Sequence, residues 1–260
     1  MIKTLLVSDM HIEPNQDLTR FDALGELIVV EKPDHVIDLG DSVSLSSISH
    51  WDMHKKLRME GERYQHDISA GKEAYQRLLK PLQLTQSLNR RHKTKVYNPT
   101  LTKMDGNHEG WVDRFLEQNP TMQGYIDLSK DLGLYELGFE VYPYKERLFR
   151  HGINYMHAPL AGNDLPISGL HVAYKALQRF NNHIAFGHYH RFETAGSRRV
   201  DGDTVHRAIS CPCFFDGQPH YLSPNAPVAL DRGVLIIEQG DDLFPQVREI
   251  TMENLLNGQY

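Results

Sequence analysis

Short apolar runs that break off into polar turns constrain this chain more than any other feature. Leu5, Leu6 and Val7 run into Asp9 and His11, and Val36, Ile37 and Leu39 run into Gly40 and Asp41. The stretch "LTKMDGNHE" does the same before Asn107, "INYMHAP" leads into His157, and "HIAFGHYH" leads into His188 and His190. Runs of this length bounded by Gly or Pro read as buried strands.

Helical patterns lie between them. "TRFDALGELIVVEKP" spaces Phe21, Leu24, Leu27 and Ile28 along one face, with Pro33 closing it. "AYQRLLKPLQL" places Tyr75, Leu78, Leu79 and Leu82 together, and Pro81 is expected to bend or end that helix. "GLHVAYKALQRF" is a third, with Leu170, Ala173, Leu177 and Phe180 as its expected apolar stripe. Strand and helix in alternation predict parallel strands joined by right-handed crossovers. In such sheets ligands bind beyond the carboxyl ends of the strands, where every polar cluster here falls.

After His190 the texture changes. "RFETAGSRRV", "TVHRAIS", "RGVLIIEQ" and "LFPQVREI" read as strands with short connections. They are expected to form a second, more antiparallel sheet packed on the first. The chain of 260 residues suits one domain over 1–260. Within it, residues 44–95 form a mainly helical insertion or extended crossover. That segment ends in the densest basic run, "NRRHKTK" at 89–95, read as a solvated helix end rather than a nucleic-acid contact.

Hydrophobic residues at 40% and charged residues at 24% describe a globular protein rather than a disordered one. No apolar run approaches the roughly 20 residues that span a bilayer, and the first residues lack a secretory pattern. The expectation is a cytoplasmic protein without membrane attachment. Net charge -6 argues against nonspecific binding of long nucleic acid. Cys211 and Cys213, separated by one proline, make a poor disulfide and too small a set for structural zinc. They read as two small, partly buried side chains.

Each polar block alone is a weak signal, but their order is specific. Asp9-Met10-His11, Gly40-Asp41, Gly106-Asn107-His108-Glu109, His157 and Gly187-His188-Tyr189-His190 resemble the calcineurin-like metallophosphoesterase family, across roughly Lys3 to Arg191. The short chain is similar to its small stand-alone bacterial or phage-type members. The resemblance implies an α/β fold, a four-layer α/β/β/α sandwich of two mixed sheets flanked by helices. It implies two divalent transition-metal ions, one held by Asp9, His11 and His190 and the other by Asn107, His157 and His188, with Asp41 bridging. Imidazole and carboxylate ligands suit Mn, Fe, Zn or Ni better than Mg, and Mn is the first expectation.

The implied reaction is hydrolysis of a phosphate ester, a phosphodiester foremost, by attack of a hydroxide bridging the metals, with His108 assisting the leaving group. Nuclease, phosphomonoesterase and protein-phosphatase activities share such a site. A non-catalytic scaffold is the contrasting expectation, and it usually lacks ligands that are present here. The substrate partner is a phosphate ester, with a nucleotide or nucleic-acid end among the options. The chain departs from the family pattern at Ala158-Pro159, after His157, and Ser42 stands at a variable position.

Secondary expectations follow from the same blocks. In an extended chain residues two apart point the same way, which would bring Asp9 with His11, and His188 with His190, into one cavity. Gly106 and Gly187 would let backbone approach the site closely. Asp38 and Asp105 either orient a ligand histidine or cap turns, and Glu109 supports its loop. His35, His92, His151, His171, His183, His206 and His220 read as surface or hydrogen-bonded side chains. His50, His54 and His66 lie in the insertion and could fold over the site. Trp51 and Tyr189 either stack on a substrate ring or serve packing.

Overall fold

The computed structural model describes residues 1–49, 52, 54–198, 205–217, 230–240 and 244–260. His50, Trp51 and His220 lie outside the described residues. In chain order the elements are β1 (Ile2–Val7), α1 (Thr19–Glu31), β2 (His35–Asp38), α2 (Lys56–Met59), α3 (Tyr64–Arg91) and β3 (Thr100–Met104). Then come α4 (Gly110–Gln118), α5 (Leu128–Asp131), β4 (Phe139–Tyr142), β5 (Leu148–Arg150), β6 (Ile153–Met156), α6 (Val172–Leu177) and β7 (His183–Phe186). The chain closes with β8 (Glu193–Arg198), β9 (Val205–Ser210), β10 (Gly233–Gln239), β11 (Gln246–Thr251) and α7 (Met252–Leu256).

Two mixed sheets face each other. One runs β11-β10-β1-β2-β3-β4, the other β5-β6-β7-β9-β8. β1 to β4 are parallel and so are β6 and β7, because helical crossovers return the chain to the same end; β9 reaches its parallel place beside β7 by way of β8, its antiparallel partner. Alternation along each strand then sorts the core into layers. Leu6 and Ile37 face Tyr155, Ala185 and Ile209 between the sheets. Leu5 and Val7 point the other way, into the layer that holds α1 and α3. Ile184 and Phe186 face α6 across the second sheet. The result is an α/β/β/α sandwich of two mixed sheets, the architecture that the family resemblance implied.

Some local expectations are corrected, and of the two outcomes expected at Pro81 one is eliminated. The strands after His190 do not make a sheet of their own: β8 and β9 join β7, while β10 and β11 pair antiparallel beside β1. β10 is apolar throughout its buried part, and the outer side of β1 offers it an unpaired edge. Pro81 does not end α3, which continues to Arg91. α1 seats Gly25 directly against the Pro81 ring and the Leu78 carbonyl, so interhelical packing occupies the turn a proline perturbs. The third helix is shorter than predicted, and its buried face is Val172, Ala173 and Ala176, with Leu170 exposed. Gly169 holds a positive φ of 129° just before it, and Glu193 accepts the Val172 N–H, which fixes the helix start three residues past the glycine.

Candidate metal centre

The carboxyl ends of β1, β2, β3, β6 and β7 deliver their loops to one place. Backbone hydrogen bonds weld neighbouring loops: Asp9 N–H donates to Gly40 O at 2.9 Å, His11 N–H to Asp41 O at 3.0 Å, and Gly187 N–H to His157 O at 2.9 Å. A Cβ at Gly106 would overlap the Asp41 carboxylate and backbone nitrogen, and one at Gly187 would overlap Ser8 Oγ and the Asp9 carboxylate. Glycine is required at both positions because a neighbouring loop occupies the space of a side chain.

The expected extended geometry is wrong, although the convergence it predicted is present. Asp9, His11, Asp41, His188 and His190 all have positive φ, at 51°, 41°, 52°, 73° and 56°. The left-handed region is rare for residues with a side chain and costs on the order of 1–3 kcal/mol each. Each loop therefore turns sharply immediately after its strand and throws its ligand inward.

All eight proposed site residues meet. Asp9, His11 and His190 bring ligand atoms together, as do Asp41, His157 and His188, and His11, Asp41 and His108 form a third group between them. His190 Nε2 lies 3.1 Å from Asp9 Oδ1 and 3.4 Å from His11 Nε2. His157 Nε2 lies 3.0 Å from Asn107 Oδ1, 3.2 Å from His188 Nδ1 and 3.4 Å from Asp41 Oδ2. Asp9 and His157 are buried behind the others. His11, Asp41, Asn107, His108, His188 and His190 face a cavity of about 650 Å³.

Backbone carbonyls set the ring orientations. His157 donates Nδ1–H to Leu39 O at 2.9 Å, and His108 donates Nδ1–H to Ser44 O at 2.8 Å. Each ring then presents an Nε2 lone pair inward, the arrangement a metal-ligating or proton-accepting imidazole needs. Trp111 stacks on His108 with ring centroids 3.9 Å apart and planes at 27°. That contact holds His108 Nε2 3.9 Å from Asp41 Oδ2.

The electrostatics follow from burial and proximity. Burial alone would raise Asp41, but the His157 and His108 imidazoles override it and hold the carboxyl well below its usual range. Burial opposes charging of His157, yet Asp41 outweighs it and raises the ring to about 9. Burial, then His108, lowers His11 to about 3, while burial and then His157 lower His188 to about 4. Burial also works against Asp9, and His190 keeps it ionised. Two buried carboxylates, the neutral His11 and His188 rings and an amide oxygen thus point acceptor atoms at one another, and His157 takes up a proton against Asp41. A bound cation would take the place of that proton and meet the same acceptors, so the donor set fits metal ions.

The support beneath the ligands is more extensive than the motifs suggested. Glu109 accepts the backbone N–H groups of Asp41, Ser42 and Gly106 at 3.0, 2.8 and 2.7 Å. Asp38 caps its own turn through Gly40 N–H at 2.9 Å and accepts from Ser42 Oγ and Tyr75 OH at 2.6 and 2.7 Å. Asp105 pairs with Lys103 at 3.0 Å. Among the described contacts neither aspartate touches a ligand histidine, so turn capping and ion pairing are their roles. Sequence reasoning missed Lys103, a lysine with no exposed surface inside a central strand. A lysine in an apolar run with a glutamate six residues on was the available signal.

Residues outside the ligand blocks separate cleanly. Tyr189 packs on Phe186 and donates to Ile167 O at 2.6 Å, so it serves packing. His54 and His66 are exposed and absent from the cavity wall, and "NRRHKTK" closes α3 away from it. His35 and His151 contact each other at 2.9 Å at the far end of the strands. His206 is buried in β9, against the surface expectation. Cys211 and Cys213 are both fully buried free thiols.

Among the described residues no helix is long and apolar enough to cross a membrane. No protein-family model matches the chain. No curated protein matches it. Solved structures do. A conserved uncharacterized protein from Streptococcus pneumoniae, a predicted phosphoesterase, matches at TM-score 0.39 and 11% identity over 97% of this chain and 90% of its own. Yfce, a phosphoesterase from E. coli, matches at TM-score 0.37 and 13% identity over 96% of this chain and 100% of its own. At such scores the likeness carries no weight about activity, and the functional reading rests on the ligand geometry of this chain.

Proposed function

We propose that the chain is a dinuclear metal-dependent phosphoesterase that hydrolyses a phosphodiester in preference to a monoester. One observation carries this reading: eight side chains from five strand ends converge as acceptor atoms, with Asp41 shared between neighbouring groups. Divalent cations bound there would supply Lewis acidity toward phosphoryl oxygens and lower the pKa of water from ~15.7 towards ~7.

The residues of the chain have distinct tasks. Asp9, His11 and His190 would hold one ion; Asn107, His157 and His188 would hold the other, and Asp41 would serve both. Asn107 brings an uncharged oxygen, which limits the negative charge facing an anionic substrate. His108 carries its Nδ1 proton on Ser44 O, so a second proton taken up at Nε2 can be given to a departing alkoxide. Trp111 keeps that ring in place. The cavity of about 650 Å³ leaves room for two ester groups on phosphorus.

Hydrolysis of bis(4-nitrophenyl) phosphate with added manganese tests the reading, alongside metal content by elemental analysis. Turnover that disappears in Asp41→Asn supports it. Well-folded protein that takes up no divalent metal, or that loads metal and leaves the ester intact, would remove it. An aryl phosphomonoester and a single-stranded oligonucleotide in parallel separate the competing substrate classes.

A further inference from the structure

The cavity wall is chemically uneven. The stretch after β2 is anchored where Ser47 Oγ and N–H donate to Asp67 at 2.6 and 3.3 Å. It brings Lys55 and Arg58 to the wall of the cavity that His108, His188 and His190 line. One carboxylate orients both: Asp52 lies 2.7 Å from Lys55 Nζ and 3.2 Å from Arg58 Nε.

That bridge leaves most of the donors unused. Lys55 has three N–H bonds and Arg58 five, and Asp52 engages Lys55 Nζ and Arg58 Nε. The two Nη groups of Arg58 have no partner among the described residues. A half-buried arginine fork beside an exposed lysine suits the oxygens of a phosphate. Glu13 and Asp216, on the loops after β1 and β9, also line the cavity and repel a second anion. Among the described residues lining the cavity, the basic groups stand at Lys55 and Arg58 and the acidic ones oppose an anion elsewhere, an arrangement that selects as much by repulsion as by attraction.

We propose that Lys55 and Arg58 bind a second phosphate of the substrate, and that the substrate class is a small phosphodiester carrying a further phosphate group, such as a 5′-phosphorylated dinucleotide. Asp52 is the positioning residue for the pair. This assignment rests on the phosphoesterase reading above. The cavity size fits a small molecule, and the net charge of -6 disfavours a long polyanion in its place.

Two measurements test it. Calorimetry on the metal-free protein compares thymidine 5′-monophosphate with thymidine. The extra phosphate is expected to tighten binding about tenfold in the native chain and not at all in Lys55→Ala/Arg58→Ala. With manganese, the ratio of kcat/KM for thymidylyl-thymidine with and without a 5′-phosphate is expected to be roughly ten in the native chain. It should fall to about one in the double variant and below one in Arg58→Glu, with the change in KM rather than kcat. Equal binding of thymidine and its 5′-monophosphate, or a preference that survives in the double variant, overturns the assignment. If the native chain fails to cleave bis(4-nitrophenyl) phosphate with any divalent metal, the phosphoesterase reading falls with it. Cleavage without a phosphate preference removes only the Lys55–Arg58 assignment.

Discussion

Lys103 Nζ lies 3.1 Å from Glu109 Oε1, and neither side chain reaches solvent beyond a trace. The lysine enters from β3 and the glutamate from the turn that follows, so the pair closes the loop holding Asn107 and His108. Burial opposes the charge on both, but each overrides it for the other: Lys103 is raised well above its ordinary value and Glu109 is lowered. Glu109 then spends its remaining acceptor capacity on the Asp41, Ser42 and Gly106 N–H groups. The spacing between the β2 and β3 loops is therefore set by a buried ion pair.

Removing one partner leaves the other charged and buried. Lys103→Met is expected to destabilise the fold by about 3–5 kcal/mol, which lowers Tm by roughly 10 °C in a domain of this size. Glu109→Gln should cost less, since an amide retains one acceptor. Thermal denaturation followed by circular dichroism checks both. A Lys103→Met protein that melts within a degree of the native one would show that the pair does not hold the loops together.

Gly106→Ala and Gly187→Ala place a methyl group where the Asp41 and Asp9 carboxylates already sit. Both are expected to lower bound manganese and to reduce turnover about a hundredfold, the order of loss that follows a displacement near 1 Å. Gly162→Ala is the control, because a Cβ there meets nothing within 4 Å. Equal metal content in all three proteins would mean that the loops can yield without disturbing the ligands.

In the proposed reading His108 transfers a proton rather than holding metal; Ser44 and Trp111 fix its ring from behind. His108→Ala should cut kcat by about 10²–10⁴-fold while leaving the metal content of the chain unchanged. Trp111→Leu is expected to give a smaller loss in kcat with little change in KM. Should His108→Ala lose metal in step with activity, the residue is a ligand and its proposed role is wrong.

Asp67 supplies a pH signature away from the candidate ligands. It has no exposed surface, and among the described residues Oδ1 finds no hydrogen-bond partner. Burial, opposed by the Ser47 bonds, raises its carboxyl to about 6. The folded state therefore binds this proton more tightly than the unfolded state does. The associated stability is present below about pH 4 and is lost as pH rises through about 6, a change of roughly 2–3 kcal/mol. Denaturant unfolding of the native chain and of Asp67→Asn between pH 4 and 8 isolates that component. Identical pH slopes in the two proteins would exclude it.

The strand-and-turn order was legible in the sequence, because period-two burial and Gly- or Pro-bounded apolar runs are local signals. So were the candidate ligands, since each stands within a few residues of a strand end. Tertiary structure decided the rest. The five ligands with positive φ follow no extended-chain rule; their loops are bent by hydrogen bonds from neighbouring loops. The destination of β10, paired with β1 from more than two hundred residues away, is a matter of edge availability and register that no local window contains. Pro81 sits inside a continuous helix because Gly25 of α1 packs onto it, and Lys103 is charged in the core because Glu109 faces it. Local composition chose which groups were offered to the site; contacts between distant segments chose how they are held.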